Sequence, residues 1–374
     1  MHSLPNSFLV AFSFTVLVDA SGSHYWSSPR HRTVAHRQLS GETYMIQDFY
    51  QGEDFFKDVP PIYDWTFDVG SDPTDGNVIY QSQSDAQSKG LAYINDSNNS
   101  LILAVDSTST VAPGGQRASV RITSQKSYNG GLFIFDASYM PVGCSTWPSF
   151  WTVGPHWPTA GEIDIVEGVN NQDTNQMALH TGTNQTCTNE MTNGTQQFTG
   201  QIKKTNCYST GRADSGCIIE DTDTSSFAYG FNNAEGGVFA LLWDNSTGMS
   251  IWHFARANIP ADLIAQTPRP STWGIPAGFW SSQTCDITAN FYEHQMVIDT
   301  TICGHWAGGG IYAQSGCPGT CSDMVANATN YINAKWVINY VAVYQYHIGS
   351  GAYAPSPRLP LTIILSLVIY LLLL

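Results

Sequence analysis

Glu162, Asp164 and Glu167 alternate with branched aliphatic residues in the segment Trp157-Pro-Thr-Ala-Gly-Glu162-Ile-Asp164-Ile-Val-Glu167-Gly168. Successive side chains of a strand point to opposite faces, so Glu162 and Asp164 would share one face and Ile163 and Ile165 the other. Glu167, five residues from Glu162, then has the wrong parity. One extra residue absorbed at Ile165–Val166 as a β-bulge would return all three acids to one face. Carboxyls crowded in this way repel one another, which raises the pKa of at least one toward the range where it can donate a proton near neutrality. Cleavage of a glycosidic bond uses that arrangement: one carboxylate attacks the anomeric carbon, and a protonated partner delivers H⁺ to the leaving oxygen and then activates water. A calcium site would favour Asn, Asp and carbonyl ligands in a loop rather than Ile and Val between the acids. A helix would put Glu162 and Glu167 well apart around its axis.

Such a segment needs a sheet to carry it. Short β-rich runs recur between Gly, Asn, Asp and Pro clusters: 100–105, 118–122, 131–135, 238–243, 250–255, 289–297 and 336–344. Helix signals are scarce, and no 20- to 50-residue period or heptad is present, which removes solenoids and coiled coils. The expected class is all-β, a sandwich of two antiparallel sheets with one face able to host a cleft. In the last run, strict alternation puts Val337, Asn339, Val341 and Val343 on one face, with Trp336, Ile338, Tyr340, Ala342 and Tyr344 on the other. Both faces are mostly apolar, as in a strand covered on both sides. One large domain over roughly 41–348 is expected, preceded by a basic segment, 21–40, read as a linker or propeptide.

The ends read as addresses. Residues 6–20 form an apolar stretch too short to span a bilayer and end in Val18-Asp19-Ala20, so 1–20 reads as a secretion signal, with a buried strand or membrane helix as the alternatives. At the other end, small residues at 349–352, a polar Pro-containing spacer and the run LTIILSLVIYLLLL have the order of a glycolipid (GPI) anchor signal over 349–374. That run would reach only ~21 Å as a helix, against a ~30 Å hydrocarbon core, which leaves a tail-anchored helix as the weaker alternative. Six N-x-S/T sequons, at Asn95, Asn98, Asn184, Asn193, Asn245 and Asn327, are available to the glycosylation machinery of a secreted chain. The eight cysteines, Cys144, Cys187, Cys207, Cys217, Cys285, Cys303, Cys317 and Cys321, imply disulfides whose pairing spacing does not assign. Cys317 and Cys321 could chelate a metal, but no CxxC or nearby pair of histidines supports zinc.

A net charge of −15 with 15 Lys plus Arg leaves no basic stripe for phosphate backbones, which excludes nucleic acid as a ligand class. A neutral polymer fits better: aromatics are 12% of the chain, and eleven tryptophans offer flat faces on which sugar rings can stack, although most aromatics in any domain are core.

Glu162-Ile-Asp-Ile-Val-Glu167 resembles the bulged active-site strand of glycoside hydrolase family 16, in its laminarinase branch. The segments 131–136, 140–157, Leu179-His180-Thr181, Thr301-Ile-Cys303-Gly-His-Trp306-Ala-Gly and the closing Trp336 run are similar to fungal enzymes of that kind, so the resemblance covers most of 41–348. It implies a β-jelly roll with an open substrate cleft and endo-acting, retaining hydrolysis of β-1,3-glucan, extending to mixed-linkage β-1,3/1,4-glucan. By it, Glu162 is the nucleophile, Glu167 the general acid/base, and Asp164 the residue that hydrogen-bonds the nucleophile and tunes its ionisation. His180 matches a histidine the family places beside the catalytic strand; taken alone, a single histidine is as readily structural. Trp151 and Trp157 are the first candidates to stack on sugars, followed by Trp147 and Trp280. One departure stands out: Cys303-Gly-His305-Trp306 occupies the place of an expected Cys-Gly-Asp-Trp. No cofactor is called for, a structural calcium ion has no support, and a monomer is expected. A wall-remodelling transglycosylase with the same residues, and a non-catalytic β-glucan-binding surface protein, are the alternative functions; retention of all three acids speaks against the second.

Overall fold

The computed structural model describes residues 43–59, 62–182, 186–190, 197–211 and 215–347. Two eight-stranded antiparallel sheets face each other, as the recurrent short β runs predict. In the backing sheet the order is Gly278–Ser281, Gly248–Ala255, Gly237–Asp244, Gly131–Tyr139, Lys335–His347, Ser100–Ala104 and Ala92–Asn95, with Thr43–Tyr50 also paired to Lys335–His347. The second sheet runs Gln201–Lys204, Cys217–Glu220, Gln176–His180, Glu162–Glu167, Thr146–Val153, Gln295–Ile302, Arg121–Ser124 and Trp65–Phe67. The acidic strand is therefore central, flanked by three neighbours on one side and four on the other.

Aromatic and branched side chains from the two inner faces fill the space between. Phe135 of the backing sheet stacks on Phe150 of the acidic strand's neighbour with ring centroids 4.3 Å apart, and Trp336 meets Phe135 edge-on at 5.4 Å. Ile163, Ile165 and Val166 belong to the same buried cluster. Burying large apolar side chains at ~1.5–3 kcal/mol each is what holds the acidic strand's other face rigidly outward.

The eight cysteines form four disulfides, Cys144–Cys317, Cys187–Cys285, Cys207–Cys217 and Cys303–Cys321. Cys317 and Cys321 thus belong to different bridges and hold no metal. Two of the bridges tie the short helices of 304–325 back to the sandwich.

Two expected strands need correction. Residues 289–297 do not form one run: Asp286 caps the short helix Ile287–Asn290, its side chain accepting from Ala289 N, and the strand begins at Gln295. The closing strand does not alternate strictly. Its pairing with Gly131–Tyr139 passes from Asp136↔Tyr340 to Ala137↔Ile338, so Asn339 is an extra residue. Trp336 and Ile338 consequently share the inner core with Val341 and Val343, while Ala342 and Tyr344 pack on the outer face. The signal and anchor segments, and the sequons at Asn184 and Asn193, lie outside the described residues. Of the other sequons, Asn98, Asn245 and Asn327 are exposed and Asn95 is half-buried. No helix among the described residues is long and apolar enough to cross a membrane.

Candidate active site

The acidic strand carries the bulge that its acid spacing demands. Opposite Thr146–Val153, Phe150 pairs with Val166 and Trp151 with Asp164, leaving Ile165 as the extra residue. Ile165 and Val166 both turn inward, and Glu162, Asp164 and Glu167 all line one open cleft of about 740 Å³. Glycines bracket the strand. Gly161 has φ +83, and a Cβ there would collide with Asn290 O and the Phe291 ring; at Gly168 it would strike the Phe227 ring. These contacts let the strand enter and leave the sheet without a side chain in the way.

A bulge leaves backbone groups without ladder partners, and a buried unpaired group costs ~1–3 kcal/mol. Asn175 supplies both partners. Its side chain is fully buried, its Nδ2 donates to Ile165 O at 2.8 Å, and its Oδ1 accepts from Glu167 N at 2.9 Å. Sequence reading missed this residue. Its only local signal is a polar amide at the entry to the Gln176–His180 strand, which many loop residues share.

Around the acids the polar contacts are few and directed. Trp147 Nε1 donates to Glu167 Oε1 at 2.9 Å. His180 stands directly across the ladder from Glu162, with Nε2 3.2 Å from Asp164 Oδ2 and 3.7 Å from Glu162 Oε1. Its Nδ1 is 3.0 Å from Ser209 Oγ, so a Ser209 hydroxyl donating there leaves Nε2–H to face the carboxyls. Burial pushes Glu162 up to about 8, with repulsion from Asp164 adding to it. Burial likewise pushes Glu167 up to about 8, again with Asp164 adding. Asp164 is pushed up to about 8 by burial and by a fourth acid, Asp299. Asp299 is itself pushed up to about 7 by burial, against the pull of Arg121, whose Nη1 is 3.7 Å away. Groups this close titrate as a set, and the set retains protons at neutral pH.

The tryptophans divide. Trp151 lines the cleft and carries the Arg121 guanidinium 4.9 Å over its ring. Trp157 is 37% exposed at the cleft, 6.4 Å from the His180 ring. Trp147 lines it too and meets Trp306 edge-on at 5.4 Å. Trp280 is a correction: it is fully buried in the core between the sheets and offers no face to a sugar. Alternation along the short Gly278–Ser281 strand sends Phe279 and Trp280 to opposite sides, and Trp280 takes the inner one. His305, the departure in the Cys-Gly-His-Trp segment, lines the cleft with Nε2 3.1 Å from Asp75 Oδ2. Glu162, Asp164 and His180 each offer an atom within 4.8 Å of the others, the only such metal-capable cluster among the described residues.

The arrangement can deliver a proton from one carboxyl and a nucleophile from another to one bond in the cleft. Known proteins agree with that reading. Residues 65–344 match the family model described as XgeA-like, catalytic GH16 domain. A probable glycosidase of Schizosaccharomyces pombe is 39% identical over 322 residues, 84% of this chain and 73% of the relative. A probable endo-1,3(4)-β-glucanase of Aspergillus fumigatus is 39% identical over 326 residues; the alignment takes in 84% of this chain but 47% of that protein, so the chain spans about half its length. Laminarinase 16A from Phanerochaete chrysosporium, solved with β-glucans in donor and acceptor sites, superposes with TM-score 0.75 at 36% identity, covering 81% of this chain and all of the other. An elongating family 16 β-1,3-glucosyltransferase superposes at 0.73, also 36% identical over 81% of this chain and 100% of its own. A matching catalytic-domain model over most of the chain, on a sandwich whose bulged strand turns three acids into one cleft, means that this chain belongs to glycoside hydrolase family 16.

Proposed function

We propose that the chain is an endo-acting, retaining β-glucanase that hydrolyses β-1,3-glucan and extends to mixed β-1,3/1,4 linkages. The observation that carries it is the bulge at Ile165, which puts Glu162 and Glu167 at the same cleft. In the first step Glu162 carboxylate forms a bond to the anomeric carbon as the glycosidic C–O bond breaks, and Glu167 gives its proton to the leaving oxygen. In the second, Glu167 carboxylate takes a proton from water, whose oxygen displaces Glu162. Asp164, 3.2 Å from His180 and beside the nucleophile, hydrogen-bonds Glu162 and tunes its ionisation. Trp151 and Trp157 provide stacking faces, and Trp147 orients Glu167 through its indole N–H.

Glucosyl transfer to a second sugar is the other outcome of the same intermediate, and the likeness to a β-1,3-glucosyltransferase keeps it in view. The reading includes secretion of a monomer tethered by a glycolipid. Four disulfides, which persist in oxidising compartments, and the apolar segments at 6–20 and 361–374 support it. The test is incubation with laminarin and with mixed-linkage glucan, resolving products by size. Shorter oligosaccharides are expected, and products longer than the donor would mean transfer. Glu162→Gln is expected to abolish both; unchanged turnover in that variant would falsify the assignment.

A further inference from the structure

Cys207-Tyr-Ser209-Thr carries no catalytic pattern, and Ser209 lies 29 residues past His180. The fold brings the two together: Ser209 is fully buried, and its Oγ is 3.0 Å from His180 Nδ1. Backbone bonds place it there. Thr181, the residue after His180, donates its N–H to Cys207 O at 2.9 Å, and Ser209 N donates to Thr181 O at 3.0 Å. The Cys207–Cys217 disulfide fixes the same segment again, because Cys217 pairs with Leu179, the residue before His180. Ser209 is therefore tied to both chain neighbours of His180, and its hydroxyl is in place before substrate arrives.

The ring it meets has little room. His180 is 8% exposed, and the backbone at Gly216 comes so near that a Cβ there would stand 3.0 Å from ring Cγ and Cδ2. On the far side of the ring Nε2 is 3.2 Å from Asp164 Oδ2 and 3.7 Å from Glu162 Oε1. A hydrogen on Nε2 is attracted by those oxygens, whereas a lone pair there is repelled. Two states of the ring carry that hydrogen, the neutral one with Nδ1 bare and the charged one with both nitrogens protonated. A hydroxyl serves both: it donates to bare Nδ1 and turns to accept from Nδ1–H. Alanine in its place would leave Nδ1 buried and unpaired in either state, and the ring would be freed to leave the orientation.

The consequence falls on the nucleophile. Glu162 attacks as a carboxylate; burial and repulsion from Asp164 hold its proton on, and His180 draws against them. A ring that wanders leaves fewer molecules in the attacking form, which lowers kcat more than affinity for glucan. Ser209 does not line the cleft, so it acts through His180.

We propose that Ser209 is a positioning residue of the reaction: its hydroxyl holds the His180 ring so that Nε2–H faces Asp164 and Glu162 in both charge states of the ring. The kinetic consequence rests on the glucanase reading above; the placement of the ring does not.

The experiment uses the full chain with Ser209→Ala and with Ser209→Thr. Turnover of laminarin gives kcat and KM, and thermal melting reports the fold. Nitrogen NMR of histidine-labelled protein follows the Nε2 proton of His180, assigned by its loss in His180→Gln. Ser209→Ala is expected to lower kcat about tenfold, the equivalent of one buried group left unpaired, with KM within about twofold of the parent. In the same variant the His180 Nε2 proton is expected to exchange with water at least about fivefold faster. Ser209→Thr keeps a hydroxyl and is expected to recover kcat to within about threefold of the parent. A parental kcat in Ser209→Ala overturns the proposal. So does a loss of kcat with the Nε2 proton unaffected, which a merely structural role would produce, or a Ser209→Thr variant that melts like the parent yet is as slow as Ser209→Ala. A parent that leaves laminarin uncut overturns the glucanase reading, while exchange of the Nε2 proton still decides the role of Ser209.

Discussion

Of the extra residues that interrupt strand pairing in this sandwich, the one at Ile165 under the catalytic acids and the one at Asn339 in the closing strand make the sharpest contrast. Both are braced by an amide side chain. Asn175 reaches across from a neighbouring strand to grip Ile165 O and Glu167 N, whereas Asn339 braces its own bulge by donating to Asp136 Oδ1 at 2.7 Å. Arg256 completes the second brace with a two-pronged contact on Asp136, at 2.7 and 3.0 Å, and a further bond to Ala137 O. The first bulge changes what faces solvent, turning an acid into the cleft. The second changes only which apolar side chains enter which core. A local distortion becomes functional when the residue it redirects is polar, and remains a packing device when it is not.

Breaking the first bulge should therefore cost activity, and breaking the second should cost only stability. The largest effect is expected at the residue the first bulge delivers: Glu167→Gln should lower kcat/KM by about 10²–10⁴-fold on glucan. The loss should be far smaller on an aryl glucoside whose leaving group needs no proton, and equal losses on both substrates would deny Glu167 the acid role. Removing the brace comes next. Asn175→Ala should reduce kcat by about 10- to 100-fold through misplacement of Glu167, with KM nearly unchanged. A fall in thermal stability with kcat intact would make Asn175 structural only.

At the second bulge Arg256→Ala should destabilise the fold by about 1.5–3 kcal/mol, the range for hydrogen bonds to charged groups, and leave kcat as it is. Denaturant midpoints alongside turnover check this, and a kcat loss comparable to that of Asn175→Ala would erase the distinction between the two bulges. The smallest effect is a pH slope. The folded chain holds Glu162's proton up to about 8, against an ordinary value near ~4.3 in the unfolded chain. Folding therefore retains a proton that unfolding releases, and stability falls as pH rises between those values. Glu162→Gln removes that slope, so the variant should melt higher than the parent near pH 7.5, by on the order of 1–3 kcal/mol, with the gap closing toward pH 4. A gap independent of pH would mean that the carboxyl does not hold its proton.

The contrast between the bulges also explains what could be read early. Three acids with a parity conflict announce a bulge, because a carboxylate forced into an apolar core is too costly to accept. Trp336, Ile338, Val341 and Val343 announce nothing, since an apolar side chain is acceptable on either face of a doubly covered strand. Trp280 shows the same limit: an indole suits a core and a sugar platform equally, and only its place behind the cleft sheet decides between them. The run at 289–297 splits because Asp286 caps a short helix over Ile287–Asn290, so the strand begins only at Gln295, and a cap three residues ahead of an apolar run is a weak local signal.

By itself the sequence determined the all-β class, the acid trio and its bulge, and the presence of disulfides, because each follows from residue period and type over a few positions. Which cysteines pair, that His180 stands across the ladder from Glu162, and that Asn175 seals the bulge were decided only by the tertiary structure. Those relations join residues far apart in the chain. Nothing local constrains them, since their partners meet only when the two sheets close on a shared core.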